Sequence, residues 1–315
     1  MKKKSQQINS ILLFSTLLIV GCSTSEKEYD FNKIVKTENI FYEKFTNNVV
    51  NGKIYIFMDS VKVFLGKMKN GKHHGLWTEW YENGQKKEES NYKDGMGNGL
   101  STDWYENGQK KIEMNFRNGL PDGLSIEWYE NGRKKEEFTW IDTFQYDGLW
   151  TEWYENGQKK EESNYSEYKL NGPSIEWYEN GGKKEETHYS NGDHSGPWIK
   201  WNENGQKEFE YHYKEDKSHG LSTQWYENGQ KEYEFHYKEG KSHGLSTVWY
   251  ENGQKKNELN YKDGMVNGLW TEWYENGQKK FEGTYKDDKK VGKETYYNEY
   301  GTIKEVKDCD KGECD

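Results

Sequence analysis

The feature that most constrains this chain is a sequence unit that returns at intervals of 24 residues. Its fullest form runs from Gly75 to Glu89 as Gly-Leu-Trp-Thr-Glu-Trp-Tyr-Glu-Asn-Gly-Gln-Lys-Lys-Glu-Glu. One tryptophan keeps its place in nine copies, and Tyr297 takes that place in a tenth; the nine are Trp80, Trp104, Trp128, Trp153, Trp177, Trp201, Trp225, Trp249 and Trp273. A single interval, from Trp128 to Trp153, has 25 residues. This period predicts a repeat array in which each unit packs against its neighbours.

Each copy has the sequence pattern of a β-hairpin. Residues 76–81 are aromatic and contain threonine, which favours a strand, and Asn83-Gly84 is a strong hairpin-turn signal. A second strand is predicted over residues 85–92. Since one hairpin alone is marginal in water, the copies must pack side by side. The sequence therefore predicts an all-β fold, an elongated single-layer antiparallel sheet of about ten tandem 24-residue β-hairpin repeats over residues 73–306.

Charges on the two strands indicate how they pair. A two-residue loop would place Glu79 opposite Glu88, and like charges directly opposite are unfavourable. A three-residue loop with a left-handed Gly84 places Glu79 opposite Lys87 instead. This second register predicts the ion pairs Glu79–Lys87, Asp103–Lys111, Glu127–Lys135, Glu152–Lys160, Glu176–Lys184 and Glu272–Lys280.

The sixth copy supports the second register. Both signs reverse there, so that Lys200 faces Glu208, and a double reversal within one chain indicates contact. We therefore predict the three-residue loop. It places Trp80, Lys86 and the alternate residues 88, 90 and 92 on one face, and the ion pairs with Tyr81 on the other.

The amino terminus has the pattern of an export signal. Lysines at residues 2–4 precede an apolar stretch from Ile11 to Val20, which is too short to span a bilayer as a helix. The following Ile-Val-Gly-Cys-Ser resembles a bacterial lipoprotein signal, in which the cysteine is lipidated. We predict residues 1–21 as a signal peptide and Cys22 as the lipid anchor; the alternative is an ordinary cleaved signal with a chance cysteine.

Three further segments lie outside the array. Residues 22–51 are polar without a clear period and are predicted to be a tether, and residues 52–72 to be an apolar hairpin that caps the array. Residues 307–315 form an acidic tail with Cys309 and Cys314. In an oxidising compartment a disulfide between these cysteines is expected, and two cysteines alone make a weak zinc site.

Net charge argues against two classes of partner. Removal of residues 1–21 takes three of the 45 Lys and Arg residues and none of the 55 acids, which leaves a net charge of −13. An acidic chain disfavours nucleic acid and anionic lipid surfaces as partners. Membrane attachment is therefore expected through the acyl chains on Cys22 rather than through a basic patch.

The Gly-Leu-Trp-Thr-Glu-Trp-Tyr-Glu-Asn-Gly-Gln-Lys-Lys unit resembles the MORN-variant repeat, a bacterial relative of the membrane occupation and recognition nexus repeat, over residues 73–306. The resemblance implies an extended sheet of consecutive hairpins and a role as a scaffold or binder. Many bacterial members are labelled as antitoxins. The export signal departs from that label, because an exported chain would not meet a cytoplasmic toxin.

Catalytic and metal sites have no clear pattern in this sequence. Near-identical units set apart no nucleophile, base and stabiliser, so we predict that the chain is not an enzyme and carries no cofactor. Histidines recur at equivalent positions, as at His188, His212 and His236, but such positions lie two strands or about 9–10 Å apart. One ion cannot bridge them, so no metal site is predicted.

Aromatic residues on the charged face are the candidate binding residues. They are Tyr81, Tyr105, Tyr129, Tyr154, Tyr178, Tyr226, Tyr250, Tyr274, Trp77, Trp150, Trp198 and Trp270. One interpretation is ladder packing that stiffens the sheet. The other is a long groove for an extended polypeptide or glycan.

The sequence thus predicts a lipid-anchored protein of the cell envelope whose array is a non-catalytic binding or scaffolding surface. A protein partner is the first hypothesis. Cell-wall or surface glycan, bound through the aromatic stripe, is the second, and an antitoxin-like neutraliser is the third.

Overall fold

Repeated hairpins dominate the computed structural model, which describes residues 26–142, 145–310 and 313–314. The predicted signal peptide and Cys22 lie outside the described residues. Secondary structure in the described part is strands and one 3-10 turn, so the all-β prediction is confirmed. The same residues contain no helix with the length and apolar character needed to cross a membrane.

The array consists of ten hairpins, which we number one to ten. Their first strands are Gly75–Trp80, Met96–Trp104, Leu120–Trp128, Gly148–Trp153, Lys169–Trp177, Asp193–Trp201, Gly220–Trp225, Gly244–Trp249, Met265–Trp273 and Lys289–Tyr297. Their second strands are Lys86–Lys93, Lys110–Arg117, Lys134–Asp142, Lys159–Ser166, Lys183–Ser190, Lys207–Lys214, Lys231–Lys238, Lys255–Lys262, Lys279–Lys286 and Ile303–Asp310. Short strands Gln145–Tyr146, Lys217–Ser218, Lys241–Ser242 and Glu313–Cys314 extend the pairing.

Each strand that follows Gly75–Trp80 in the ten hairpins pairs antiparallel with the hairpin strand before it and, up to the last hairpin, with the one after it. Thus Lys86–Lys93 pairs with Gly75–Trp80 inside its hairpin and with Met96–Trp104 of the next copy. The copies therefore form one continuous sheet of consecutive hairpins. This sheet does not close into a ring.

The predicted three-residue loop closes each hairpin. In copy one, the Tyr81 N–H donates to the Gln85 carbonyl at 2.9 Å, and the Gly84 N–H donates to the Tyr81 carbonyl at 3.0 Å. Gly84 has φ +83°, a left-handed conformation that glycine adopts without a Cβ penalty. The Asn-Gly dipeptide thus fixes the tip, as expected from the sequence.

Beyond the loop, the predicted register is wrong by one residue. Trp80 lies opposite Lys86, but Glu79 lies opposite Glu88 rather than Lys87. A β-bulge on the second strand absorbs the extra residue, so that Lys87 and Glu88 together face Glu79. The same shift recurs in the other nine hairpins.

Most of the predicted ion pairs form in spite of this bulge, since the bulged lysine still projects beside the carboxylate. Lys200 Nζ lies 2.8 Å from Glu208 Oε2. The others that form are Glu79–Lys87 at 3.5 Å, Glu127–Lys135, Glu152–Lys160 and Glu176–Lys184 at 2.8 Å, and Glu272–Lys280 at 3.3 Å. In copy two, Lys111 Nζ lies 5.7 Å from the centre of the Tyr105 ring rather than against Asp103.

The bulge also changes which residues share a face. Trp77 lies opposite Ser90, and Gly75 lies opposite Tyr92, so the predicted grouping of residues 88, 90 and 92 with Trp80 is wrong. The Trp77 face carries Trp77, Glu79, Glu88, Ser90, Tyr92 and their equivalents, and the Trp80 face carries Leu76, Thr78, Trp80, Lys86, Glu89 and their equivalents.

Residues 26–73, which we call the N-terminal unit, fold against the start of the array. Their strands are Glu28–Asp30, Ile34–Thr37, Ile40–Glu43, Gly52–Met58, Val61–Lys69 and Lys72–His73, with a 3-10 turn at Phe31–Lys33. The hairpin of Gly52–Met58 and Val61–Lys69 lies where the cap is predicted. An apolar cluster joins the unit to the array through Tyr29, Ile34, Val50, Ile54, Leu65, Met68 and Trp77.

The prediction of a tether over residues 22–51 is wrong from residue 26 onward. Strand Glu28–Asp30 pairs in parallel with Gly52–Met58, and Val50 is fully buried. The few apolar residues of this segment show no period in the sequence, but Tyr29 and Ile34 lie in the cluster over the cap hairpin. Their burial replaces the expected tether with a folded segment.

Candidate binding surface

The eight tyrosines predicted as binding residues tie neighbouring copies together. Each hydroxyl donates a hydrogen bond to the main-chain carbonyl at the tryptophan position of the next copy. The bonds are Tyr81 to Trp104 at 2.8 Å, Tyr105 to Trp128 at 2.9 Å, Tyr129 to Trp153 at 2.7 Å, Tyr154 to Trp177 at 2.8 Å, Tyr178 to Trp201 at 2.7 Å, Tyr226 to Trp249 at 2.9 Å, Tyr250 to Trp273 at 2.9 Å and Tyr274 to Tyr297 at 3.0 Å. We call this set the tyrosine ladder, and it supports the packing interpretation of the stripe.

Ladder hydroxyls are donors at neutral pH, because an ordinary tyrosine, with a pKa of about 10, is already protonated there. Burial is the main cause that raises the pKa of Tyr105, Tyr129, Tyr178 and Tyr226 above the ordinary value. This shift extends the pH range over which these four hydroxyls can donate to their carbonyls.

The turn asparagine makes a second tie between copies. In copy one, Asn83 Oδ1 accepts the Gln85 N–H at 2.9 Å, while Asn83 Nδ2 donates to the Glu106 carbonyl of copy two at 2.8 Å. Equivalent bonds run from Asn107, Asn131, Asn156, Asn180, Asn228, Asn252 and Asn276 to the next copy. Asparagine therefore closes its own turn and holds the neighbouring one.

Trp77, one of the four predicted tryptophans, belongs to the fold rather than to a free surface. Its exposed fraction is 4%, and its ring lies 4.0 Å from the His73 ring and 6.2 Å from the Phe31 ring, measured between centroids. Burial lowers the pKa of His73 to about 4, so this imidazole is neutral at physiological pH. Trp77 is therefore mainly a packing residue, although its edge contributes to the wall of an open cleft beside Leu65 and Trp80.

The other three tryptophans lie on the Trp77 face of the array. Trp150 and Trp198 donate their indole N–H groups to carboxylates of Glu136 and Glu185, each at 2.6 Å. Trp270 packs against Phe281 with ring centroids 5.8 Å apart. These rings are half-buried and still offer edges to a ligand.

An aromatic cluster in copies six and seven was missed in the sequence. Trp198 and Phe209 meet at 5.0 Å, Phe209 stacks on Tyr211 at 4.5 Å, and the hydroxyls of Tyr211 and Tyr233 lie 2.7 Å apart. The incorrect register places Phe209 and Tyr211 on the face away from Trp198. Only the bulged pairing brings these aromatic rings together.

A row of lysines covers the tryptophans of the Trp80 face. Lys86 Nζ lies 5.3 Å from the centre of the Trp104 ring in copy two, and it also binds the Glu89 carboxylate at 2.5 Å. The same cation–π arrangement links Lys110, Lys134, Lys159, Lys183, Lys207, Lys231 and Lys255 to the following tryptophan. Each contact supplies about 0.5–1 kcal/mol where it is exposed.

The repeated histidines make local contacts. Nδ1 of His212 donates to the Leu221 carbonyl at 2.8 Å, and Nδ1 of His236 donates to the Leu245 carbonyl at 2.7 Å. Within the described residues, no group of three His, Cys, Asp or Glu side chains could hold a metal ion. Their arrangement supplies cross-strand hydrogen bonds.

The end of the array carries the predicted disulfide pair. Cys309 is buried and disulfide-bonded, and its main chain lies opposite Cys314 in the last pairing of the sheet. This register brings the two backbones together as such a bond requires. That Cys314 is the bonded partner stays a prediction.

One interior copy interrupts the tyrosine ladder. Copy six has Asn202 where its neighbours have tyrosine, and an open cleft of about 640 Å³ lies between the tips of copies six and seven. We call it the Asn202 cleft. Its lining includes Glu208, Phe209, Trp225 and Tyr226.

The sequence profile of the MORN repeat variant matches residues 74–94, 98–118, 146–167, 170–191, 195–215, 218–239, 242–263 and 266–287. These eight segments cover more than half of the chain. No curated protein matches it.

Among solved structures, similar chains occur in the crystal structures of TcdB2-TccC3 and of TcdB2-TccC3-Cdc42. Each is 10% identical, with a TM-score of 0.20, over 86% of this chain and 18% of the other. This chain thus spans less than a fifth of their length, and a TM-score this low does not indicate a shared fold.

Proposed function

Because the chain belongs to the MORN repeat variant family, we propose that it is a non-catalytic scaffold whose stiff, extended sheet binds a protein partner. The observation that carries this proposal is the double tie at the hairpin tips. A tyrosine hydroxyl and an asparagine amide cross from each of the first five copies to the next. Such ties hold side chains at a fixed spacing, which reduces the ordering entropy lost when a partner binds.

Open faces make this sheet suitable for contact. The described residues contain ten buried apolar side chains, and seven of them lie in the cluster that joins the N-terminal unit to the array. Both faces of the remaining copies therefore present half-exposed aromatic, charged and polar groups to solvent. Since the mature chain is acidic, a partner with a basic surface is favoured.

We also propose that Cys22 is lipidated and holds the protein on the cell envelope. Glu26, four residues later, already binds Lys67 of the cap hairpin at 2.8 Å. Four residues span at most about 14 Å, so the N-terminal unit would stay close to the membrane. Mass spectrometry of the mature amino terminus should show acylated Cys22; an unmodified terminus further along the chain would contradict the anchor.

Proximity labelling from the anchored protein in its own cells tests the scaffold proposal. We expect one or a few proteins to be enriched over a matched control, in which the same signal and Cys22 carry an unrelated soluble domain. A Cys22→Ala variant separates the role of the anchor from that of the array. Labelling that never exceeds the control would contradict a protein-binding function.

Glycan binding is a second candidate, favoured by the aromatic cluster of copies six and seven. Exposed edges of Trp198, Phe209 and Tyr211 could stack on sugar rings. Sedimentation with purified cell wall should then fall strongly in Phe209→Ala and Tyr211→Ala but not in Tyr300→Ala, whose ring is 89% exposed at the far end. Equal sedimentation of all four proteins would exclude this site.

A further inference from the structure

The seam between copies six and seven lacks both ties that join other neighbouring copies. Among the residues described at this seam, no side chain donates to the Trp225 carbonyl, which a ladder tyrosine would reach, and Asn204 makes no bond to the next tip. Asn202 Oδ1 instead accepts the N–H groups of Asn204 and Gln206 at 3.0 and 3.1 Å. Copy six closes its own turn and leaves the cleft open.

The rest of the array shows what this cleft is shaped to hold. At every other interior tip, a tyrosine hydroxyl donates to the carbonyl of the next copy at 2.7–3.0 Å. A cleft after copy seven is also open, but it is smaller, about 470 Å³, and Tyr226 forms one of its walls. Neighbouring Tyr178 and Tyr226 are examples on either side. At Asn202 the ring is absent, but the acceptor carbonyl of Trp225 and the flanking walls remain.

Charge around the cleft differs from that of the other copies. The position after the hairpin lysine is basic at Lys87, Lys111, Lys135, Lys160, Lys184, Lys256 and Lys280, but acidic at Glu208 and Glu232. In the lining of the cleft, Glu208 is neutralised by Lys200, and Lys207 is paired with Glu210. Glu232 lies outside the lining, where it accepts a bond from Gln224 at 2.8 Å. Because these lysines are already paired, Glu203 and Glu227 leave the lining acidic.

We propose that the Asn202 cleft binds a tyrosine side chain of a partner polypeptide that carries lysine or arginine beside that tyrosine. The ring takes the place of the missing ladder tyrosine and donates its hydroxyl to the Trp225 carbonyl. The flanking cations meet Glu203 and Glu227. This inference rests on the proposed function as a protein-binding surface, for which it names a site and a partner chemistry.

Peptide titration of the purified protein tests the cleft. The probes are Lys-Lys-Tyr-Lys-Lys, the same peptide with phenylalanine, and Glu-Glu-Tyr-Glu-Glu, each capped at both ends. We expect the phenylalanine peptide to bind about three- to tenfold more weakly, because the carbonyl loses its donor. The acidic peptide should lose at least about tenfold through charge repulsion. Equal affinity of the tyrosine and phenylalanine peptides overturns the proposal.

Asn202→Tyr should fill the cleft and weaken the basic tyrosine peptide by at least about tenfold. Asn298→Tyr is the matched control, since Asn298 also caps its own turn, through the N–H groups of Tyr300 and Thr302, but lies at the tip of copy ten, away from the Asn202 cleft. Binding that survives Asn202→Tyr overturns the proposal. Glu227→Lys, which reverses the charge of one carboxylate in the lining, provides a second variant and should weaken the peptide severalfold.

The labelling experiment separates failure of the cleft from failure of the scaffold function. If a partner is labelled equally by the unaltered protein and by Asn202→Tyr, the cleft proposal is wrong and the scaffold function stands. If the peptides discriminate as expected but no partner is labelled, the cleft stands and the scaffold function fails.

Discussion

In the N-terminal unit, the side chains of Val50 and Ile54 are fully buried, whereas in the array the fully buried side chains are Ser163, Ser246 and Glu294. The first region is held together by apolar burial between a hairpin and the strand laid over it. The second is a single layer in which few apolar side chains are buried, and its cohesion comes from main-chain pairing and from the tyrosine and asparagine ties. The contrast shows how a chain poor in aliphatic residues can still form an extended ordered sheet.

The two regions depend on each other. A sheet of hairpins leaves an open edge at its first strand, and an exposed edge invites pairing with other chains. The N-terminal unit covers that edge, because the His74 N–H donates to the Lys67 carbonyl at 2.9 Å and Trp77 enters the apolar cluster. The free energy of unfolding of the array is then approximately the sum of contributions from each copy and from each interface between neighbouring copies, beginning at this capped end.

The largest effect is expected from breaking the apolar cluster. Ile54→Ala removes a fully buried side chain and should lower the free energy of unfolding by about 2–5 kcal/mol. Val61→Ala, in the same hairpin but 62% exposed, is the control and should change it by less than about 0.5 kcal/mol. Urea denaturation followed by tryptophan fluorescence measures both. Equal effects would mean that burial does not hold this unit.

Acid should weaken the same region through His73. Burial lowers the pKa of this imidazole from 6.5 to about 4, so the folded protein binds fewer protons than the unfolded chain between these values. Stability is therefore complete above pH 6.5 and falls as the pH drops toward 4, by about 1–2 kcal/mol after allowance for partial exposure. His73→Phe should remove this part of the pH dependence, as measured by denaturation at pH 7 and pH 4.5. An unchanged pH profile would contradict it.

Removal of one ladder hydroxyl tests the means by which the array is held. Tyr154→Phe deletes the bond to the Trp177 carbonyl and should lower the free energy of unfolding by about 0.5–1.5 kcal/mol. Tyr300→Phe is the control, because its ring is 89% exposed and outside the ladder. A ladder variant no less stable than this control would show that the hydroxyls contribute nothing.

Much of the array could be predicted from the sequence, because its repetition shows the same local signal many times. The Asn-Gly tip, the order of the strands and the Lys200–Glu208 contact follow from turn chemistry and charge. The bulge could not be derived from charge, since Lys87 and Glu88 face Glu79 together and the ion pair forms in either register. Contact between charges therefore did not determine the pairing.

A different signal in the same sequence does determine the register. Residues now seen to lie opposite each other are complementary in size: the pairs are Trp77–Ser90, Ser101–Met114, Ser125–Phe138, Trp150–Ser163, Ser222–Phe235, Ser246–Leu259 and Trp270–Gly283. In these seven copies a large side chain on one strand meets a small one on the other. The exceptions are Ser174 opposite Thr187, Trp198 opposite Tyr211 and Glu294 opposite Lys307. Packing is thus a more specific guide than flexible surface charges.

Other features left no signal of this kind. The N-terminal unit occurs once, so no second copy shows which of its scattered apolar residues pack together. The ladder role of the tyrosines depends on which neighbour each hydroxyl reaches, and that distance exists only in the folded sheet. The Asn202 cleft arises where one copy departs from the repeat. It can be recognised only by comparing the folded position of Asn202 with that of the tyrosines in the other copies.

The smallest effect is expected from the ion pair that reverses its signs. Lys200→Glu alone and Glu208→Lys alone each place like charges together, and the double variant restores attraction in the orientation of the other copies. Both side chains are more than a third exposed, so we expect a coupling of only about 0.2–1 kcal/mol in a double-mutant cycle. The coupling should shrink in 1 M salt, where charges are screened within about 3 Å. Lys200→Glu combined with Glu203→Lys, which leaves Glu208 unchanged, is the control. A coupling near zero at low salt would mean that the exchange of charge signs at these two positions arose by chance and does not reflect an energetic contact. The array would then be held together by its hydrogen-bonded ties and packing alone.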